Sequence, residues 1–163
     1  MIFNKTNHLA GLMQRSPAAR ADIRGDAAHG GIRGTVSFYP AAGGVLAVAE
    51  VFGLPSGANR CDGGVFGCHI HEGTSCTGTI AEPFADTKGH YNPTNCSHPQ
   101  HAGDMPPLFE NNGYAWSAFF TKRFKVNDII GRTVILHASP DDFTTQPSGN
   151  SGKKIACGVI ERI

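Results

Sequence analysis

The chain is patterned as short β-rich runs bounded by glycine, proline and asparagine, which are turn residues. Some runs alternate between apolar and polar positions, as half-buried strands do. No stretch shows the sustained 3.6-residue period of a long amphipathic helix. Seven segments are predicted as strands: Ile32–Tyr39, Gly44–Phe52, Val65–His71, Leu108–Glu110, Ala115–Thr121, Arg132–His137 and Ile155–Ile160.

The spacing of these segments predicts an all-β domain, either a sandwich or a barrel. The turn Pro40–Gly43 joins the first two segments, and the residues 111–113 form a hairpin signal between two later ones. Residues 1–18 show no clear period and are predicted as a loose or weakly helical lead-in to a domain over 19–163.

Two long polar stretches interrupt the series of predicted strands. Glu72–Pro107 and Ala138–Lys153 exceed what a simple connection needs. Long loops in compact domains are commonly functional, and the first of these two carries several histidines. Both stretches are therefore predicted as functional loops.

Composition narrows the function classes. The 163 residues fit one domain, and 21 glycines and 10 prolines agree with many turns. A net charge of +1 argues against a nucleic-acid partner, and the apolar runs are far shorter than the roughly 20 residues of a membrane span. The first 25 residues lack the apolar core of a secretory signal, which favours a cytoplasmic protein, or a periplasmic or secreted one if a signal was trimmed.

Six of the eight histidines fall between positions 69 and 137, and His29, one of the other two, is expected to be solvated. His69 and His71 are one residue apart in a predicted strand, so their side chains leave the same face. Cys68 and Ile70 then face the core. His137 ends another strand and is a candidate third nitrogen ligand, and all-nitrogen sets suit Cu(II).

A second group lies in the first long loop and consists of His90, His98, His101 and Asp104. Three imidazoles and one carboxylate match a closed tetrahedral zinc site. A single pair of nearby histidines is more often a surface feature than a metal site, but six candidates in this span favour metal. The sequence contains neither the HExxH motif of zinc proteases nor a CxxC pair.

The stretches GCHIHEGTSC, GHYNP, HAGDMP, IIGRTVILH and GNSGKKIACGVI occur in an order that resembles the copper/zinc superoxide dismutase family. The resemblance covers roughly residues 19–163. It implies an immunoglobulin-like Greek-key β-barrel or sandwich of about eight antiparallel strands, an architecture that includes this family. It also implies an oxidoreductase that converts superoxide to dioxygen and hydrogen peroxide by cycling copper between Cu(II) and Cu(I).

The resemblance implies two metal sites that share one ring. Copper would be held by His69, His71, His90 and His137, and zinc by His90, His98, His101 and Asp104. The catalytic His90 would serve both metals and act as a proton source for peroxide.

Further residues take roles from the same resemblance. Asp141 would link a copper histidine to a zinc histidine, and Arg132 would buttress the metal-binding loop. Cys76 and Cys157 would form a disulfide. Lys154 stands where the family has its active-site arginine; it keeps the positive charge but loses the planar fork, so we expect reduced activity. Of the five cysteines, Cys68 is expected in the core, and Cys61 and Cys96 are expected to be unpaired.

Two alternatives remain open at this point. The same fold could serve as a copper-binding or copper-delivery protein with little turnover. A different β-barrel metalloenzyme could use His69, His71 and His137 for one metal, leaving His98, His101 and Asp104 dispensable. Whether the chain forms a homodimer is also left open.

Overall fold

The computed structural model describes residues 11, 14–57 and 64–163, and these residues form a nearly all-β protein. A short helix, α1 (Val126–Ile129), and 3-10 turns at Ala27–His29 and Ala85–Thr87 accompany the strands. Within the described residues the strands are β1 (Ala19–Gly25), β2 (Arg33–Ala41), β3 (Gly44–Phe52), β4 (Val65–Phe66), β5 (Cys68–His71), β6 (Leu108–Phe109), β7 (Tyr114–Thr121), β8 (Thr133–His137) and β9 (Lys154–Arg162).

Seven of these strands form one curled antiparallel sheet in the order β5-β8-β9-β1-β2-β3-β7. After β3 the chain crosses to the far edge as β5, returns beside β3 as β7, and crosses again to β8. These crossings between antiparallel strands are the Greek-key connections that the family resemblance implies.

The remaining strands, β4 and β6, pair with each other and link the two edges of the large sheet. Only Gly67 separates β4 from the edge strand β5, and β6 leads through a turn into the other edge strand, β7. Because both edges are continuous with this small pair, the large sheet is drawn round into a barrel.

The apolar core lies inside the barrel, where inward side chains from most strands meet. Ile70 of β5 and Val134 of β8 face each other across the sheet and are fully buried. The prediction that Cys68 and Ile70 face the core is confirmed, since both belong to the main buried cluster. Burial of each large aliphatic side chain stabilises the fold by about 1.5–3 kcal/mol.

The strand predictions were right in kind, but several bounds differ by one or two residues, and β2 extends to Ala41, into the predicted turn Pro40–Gly43. The segment Val65–His71 is broken at Gly67 into two strands, and the segment at Leu108 ends one residue earlier than predicted. Ala19–Gly25 was not predicted, yet it is the central strand β1 between β2 and β9. The lead-in prediction for 1–10, 12 and 13 and the prediction for Cys61 lie outside the described residues.

Among the residues that the structure describes, no helix has both the length and the apolar character needed to span a membrane.

Candidate metal centre

The outer face of the barrel, under the long loops, carries three of the predicted ligands. In the register of β5 and β8, His69 is opposite Ile135 and His71 is opposite Thr133, so all four side chains point outward. His137 lies two residues beyond Ile135 on the same face of β8. The strand alternation therefore places three imidazoles together on one surface.

The first long loop is fastened to the free edge of β5 by backbone hydrogen bonds to Ile70. The Tyr91 amide donates to the Ile70 carbonyl at 2.8 Å, and the Ile70 amide donates to the carbonyl of Gly103 at 2.9 Å. These bonds hold His90 beside His71 and Asp104 beside His69. The loop thus adds its own ligand candidates to those of the strand.

A tight turn separates His98 from His101. The Gln100 amide donates to the Ser97 carbonyl at 2.8 Å, and the turn brings His98 Nδ1 and His101 Nδ1 to 3.2 Å and 3.4 Å from the carboxylate of Asp104. The short spacing of the two histidines is therefore compatible with one shared site.

The structure brings all seven predicted ligands into two adjoining groups. Within each group the candidate ligand atoms lie within 4.8 Å of one another, and every residue is buried. The ring of His90 belongs to both groups, with centroids 4.0 Å from His69 and 5.5 Å from His101. The groups are His69, His71, His90 and His137, and His90, His98, His101 and Asp104.

The hydrogen bonds of the outer ring nitrogens fix how these imidazoles are oriented. His69 Nε2 donates to Asp141 at 2.8 Å, His71 Nδ1 donates to the Lys88 carbonyl at 2.9 Å, and His137 Nδ1 donates to the Gly152 carbonyl at 3.3 Å. Each donor leaves a lone pair on the other nitrogen. Nε2 of His71 and Nε2 of His137 then face each other 3.3 Å apart, an arrangement that suits a shared cation.

The nitrogens that point into the groups fit bound metals. Four of them are buried and make no well-aligned hydrogen bond, although those of His98 and His101 lie near the Asp104 carboxylate. A buried polar atom left unsatisfied costs about 1–3 kcal/mol. Metal coordination would satisfy the lone pairs of these nitrogens, whereas an apolar environment provides no partner for them. These atoms are Nδ1 of His69, Nε2 of His90, Nδ1 of His98 and Nδ1 of His101.

Burial in the centre favours the neutral form of four of its histidines, and hydrogen bonds favour the charged form of Asp141. Burial lowers the pKa of His69, His71 and His101, and it lowers the pKa of His137 to about 3. Burial alone would raise the pKa of Asp141, but hydrogen bonds from His69, Phe143 and His98 hold it well below its usual range. Neutral imidazoles and ionised carboxylates are the forms that bind metal.

Asp141 joins the two groups directly. Its second carboxylate oxygen lies 2.8 Å from Nε2 of His98, while the first accepts from His69. Gln146, which the sequence analysis missed, holds His98 from the second long loop: its Oε1 accepts from the His98 amide at 3.0 Å and its Nε2 donates to the His98 carbonyl at 2.7 Å. No sequence motif signals such a contact with the backbone.

The resemblance-based contacts around the centre are also present in the fold. Arg132 donates to the Glu72 carbonyl at the start of the first long loop and lies over the ring of Tyr91, 5.1 Å from its centroid. Cys76 is disulfide-bonded to Cys157 of β9. Lys154 is half-buried, and its ammonium donates hydrogen bonds to the Phe84 and Lys88 carbonyls of the first long loop.

The remaining cysteine and histidine predictions have mixed outcomes. Cys68 and Cys96 are free, as expected. Burial raises the pKa of the Cys68 thiol to about 12, which makes it an inert core residue. His29, expected to be simply solvated, instead lies 2.7 Å from the Asp26 carboxylate that caps its 3-10 turn.

Comparison with known proteins identifies the family. The model of the family described as copper/zinc superoxide dismutase matches residues 32–160. The chain belongs to the copper/zinc superoxide dismutase family. A superoxide dismutase (Cu-Zn) of Deinococcus radiodurans is 33% identical and spans 90% of this chain and 86% of its own length. Superoxide dismutase (Cu-Zn) 2 of Aquifex aeolicus is 35% identical over 72% of each chain.

One further relative bears on the alternative of a copper-delivery protein. A rat copper chaperone for superoxide dismutase is 33% identical, but the match spans 61% of this chain and 39% of the chaperone. Membership in the copper/zinc superoxide dismutase family and the two buried ligand groups together make copper and zinc the metals of this protein. The alternative of a copper-delivery protein is not favoured.

Proposed function

We propose that this protein is a superoxide dismutase, an oxidoreductase that disproportionates superoxide to dioxygen and hydrogen peroxide. The observation that carries the proposal is the position of the His90 ring between two buried ligand groups. A single-metal β-barrel enzyme would have no use for the second group, and its orphaned nitrogens on His98 and His101 would remain costly.

The ligand groups divide by their chemistry. We assign copper to His69, His71, His90 and His137, because an all-imidazole set suits it. We assign zinc to His90, His98, His101 and Asp104, because three imidazoles and a carboxylate form a closed site. Bound in these places, copper supplies the one-electron exchange with superoxide and zinc supplies fixed charge. Asp141 holds one histidine of each group in a single orientation.

His90 carries the proton chemistry. Its Nδ1 lies 2.7 Å from Oδ1 of Asp104, on the zinc side of the ring, and its Nε2 is buried without a partner on the other side. A proton on Nε2 therefore has no competing protein acceptor and can be donated to form hydrogen peroxide. Lys154 adds positive charge near His71 and His137, which attracts an anionic substrate.

Metal analysis with a superoxide-consumption assay tests this function. The wild-type protein is expected to bind about one copper and one zinc per chain and to consume superoxide well above background. His90→Ala should lose both properties in large part, because it removes a ligand from each group. His29→Ala is the matched control, since His29 contacts Asp26 far along the chain from the ligands.

The outcomes separate the proposal from its rivals. A wild-type protein that takes up no copper on loading, or that shows no activity above background, contradicts the enzyme function. Copper uptake without turnover would indicate a copper-binding module. Full activity without zinc, and with His98 or Asp104 replaced, would indicate a single-metal enzyme.

We also propose that the protein forms a homodimer through the outer face of β3 and β7. The rings of Phe52 and Tyr114 pack 5.0 Å apart there, and Trp116 and Phe120 are 48% and 43% exposed. Exposed apolar patches of this kind are typical of interaction sites. A second copy suits the patch because β7 is an edge strand, and a twofold axis would bring like faces together.

The compartment is a separate proposal. The Cys76–Cys157 disulfide supports an oxidising compartment, because reducing cytosol opposes such bonds. Fractionation of the native host with an antibody against the protein distinguishes the cytoplasm from a periplasmic or secreted location.

A further inference from the structure

The ammonium of Lys154 is held by a set of three oxygen acceptors, which we term the Lys154 cradle. It consists of the Phe84 carbonyl at 3.3 Å, the Thr87 hydroxyl at 2.8 Å and the Lys88 carbonyl at 2.9 Å. An ammonium has three N–H donors and no acceptor. The cradle therefore matches the donors of Lys154 one for one.

Thr87 contributes the only side chain of the cradle. Its hydroxyl is fully buried and donates to the Phe84 carbonyl at 2.7 Å. Since a hydroxyl has one proton, its contact with Lys154 uses an oxygen lone pair as acceptor. The hydroxyl is thus oriented by one cradle carbonyl so that it accepts from the lysine.

The Lys88 carbonyl connects the cradle to the metal centre. It accepts from Nδ1 of His71 at 2.9 Å as well as from Nζ of Lys154 at 2.9 Å. On the other side, Lys154 is the strand partner of His137 in β9 and β8. The ammonium is therefore fixed relative to two of the four proposed copper ligands.

We propose that Thr87 is a positioning residue that holds the Lys154 ammonium beside His71 and His137, with every Lys154 donor engaged in the cradle. This inference rests on the proposed function and deepens it. Lys154 then acts on an anionic substrate through its charge and donates no hydrogen bond to it. The cradle also explains how a lysine is fixed in place of the family arginine: its smaller head group finds acceptors on the loop.

Chemical labelling of the metal-free, disulfide-intact protein tests the cradle independently of turnover. Thr87→Val removes the hydroxyl at nearly equal volume, and Thr87→Ser restores it. The acetylation rate of the Lys154 amine, read by mass spectrometry against the exposed neighbour Lys153, should rise about tenfold in Thr87→Val, because a hydrogen bond to a charged group is lost. Thr87→Ser should stay near the wild-type rate.

Two labelling outcomes would overturn the proposal: an unchanged Lys154 rate in folded Thr87→Val, or an equal rise at Lys153, which would indicate general loosening. Nuclear magnetic resonance of the wild type needs no variant. The Nζ protons of Lys154 should exchange with water more slowly than those of Lys153, and equal exchange would contradict the cradle.

Binding of azide, a small anion, to the copper- and zinc-loaded protein tests whether the N–H donors of Lys154 are already engaged. Lys154→Arg supplies five N–H donors where the cradle accepts three. We expect azide, followed by the Cu(II) absorption spectrum, to bind Lys154→Arg about tenfold more tightly than wild type. Equal or weaker binding would refute the claim that the wild-type donors are exhausted. A protein that takes up no copper would instead refute the proposed function, leaving the labelling result to stand on its own.

Discussion

One carboxylate oxygen of Asp141 lies 2.8 Å from Nε2 of His69, a contact between a loop residue and a strand residue 72 positions apart. The other oxygen accepts from His98, so one side chain orients a histidine of each metal group. In Asp141→Asn the amide can accept only one of these N–H groups and presents its own donor to the other. Zinc affinity, measured by chelator competition, should fall by about 10–100-fold.

The neighbouring Asp142 provides the control for that substitution. It accepts from the amides of Thr144 and Thr145 within the same loop but contacts no histidine of the centre. Asp142→Asn should leave zinc affinity within about threefold of wild type, because the histidine link is intact. Equal losses in both variants would show that loop stability, and not the link, governs zinc binding.

Gly149 is packed against the same carboxylate. A Cβ at this position would collide with Oδ1 of Asp141 and would lie 2.6 Å from Nε2 of His98. Its φ of +69° adds about 1–2 kcal/mol of strain for any other residue. Gly149→Ala should therefore lower zinc affinity as well as the free energy of unfolding.

Gly43 separates these two effects. It has a φ of +79°, similar to that of Gly149, but no atom lies within 4 Å of a built Cβ. Gly43→Ala should lower the free energy of unfolding by the same strain energy and keep wild-type zinc affinity. If Gly149→Ala also bound zinc normally in chelator competition, the tight packing around Asp141 would have no role in the site.

The sequence predicted well which ligand candidates would lie together, because strand alternation is a local property. His69 and His71 share a face whichever strand pairs with theirs. The other ligand candidates were predicted from the order of the motifs that resemble the family. By contrast, β1 was missed because its inward residues Ala19 and Ala21 are small and give a weak apolar signal beside charged neighbours. Gln146 was missed because its partners are backbone groups, and Thr87 was missed because its contact with the Lys154 side chain spans 67 positions; both contacts depend on the path of a long loop.

The Cys76–Cys157 disulfide closes a large loop, with a sequence separation of 81. A cross-link of this length reduces the entropy of the unfolded chain and typically stabilises the fold by about 2–5 kcal/mol. Cys76→Ser should lower the free energy of unfolding of the metal-free protein by this amount in urea titrations. Cys96→Ser, which changes a free cysteine of the same long loop, should change it by less than about 0.5 kcal/mol.

A charged side chain on the aromatic face of β3 and β7 is expected to dissociate the proposed homodimer. Trp116 is about half exposed in the single chain, and Trp116→Asp would place two carboxylates near each other across a twofold contact. Sedimentation equilibrium should show a dimer for wild type and a monomer for Trp116→Asp. Ile80→Asp changes a fully exposed apolar residue in the first long loop and should leave the dimer intact. A monomeric wild type would contradict the homodimer.

The buried histidines make the stability of the metal-free protein depend on pH. Burial lowers the pKa of His137 to about 3 and also lowers that of His69 and His71, whereas unfolded histidine titrates near 6.5. Between these values the unfolded chain binds more protons than the folded one, so stability rises with pH and is lost as pH falls below about 6.5. Each imidazole contributes up to about 1.4 kcal/mol per pH unit.

Urea titrations of the metal-free protein between about pH 7.5 and pH 4.5 measure this slope. The lowered pKa of Asp141 acts in the same direction, since its contribution is lost only as pH falls below the ordinary carboxylate range. His137→Gln removes one titrating group and should flatten the curve by up to about 1.4 kcal/mol per pH unit. A free energy of unfolding that stayed constant or increased on acidification would mean that these rings are not buried as neutral imidazoles, and the metal centre would not be preformed.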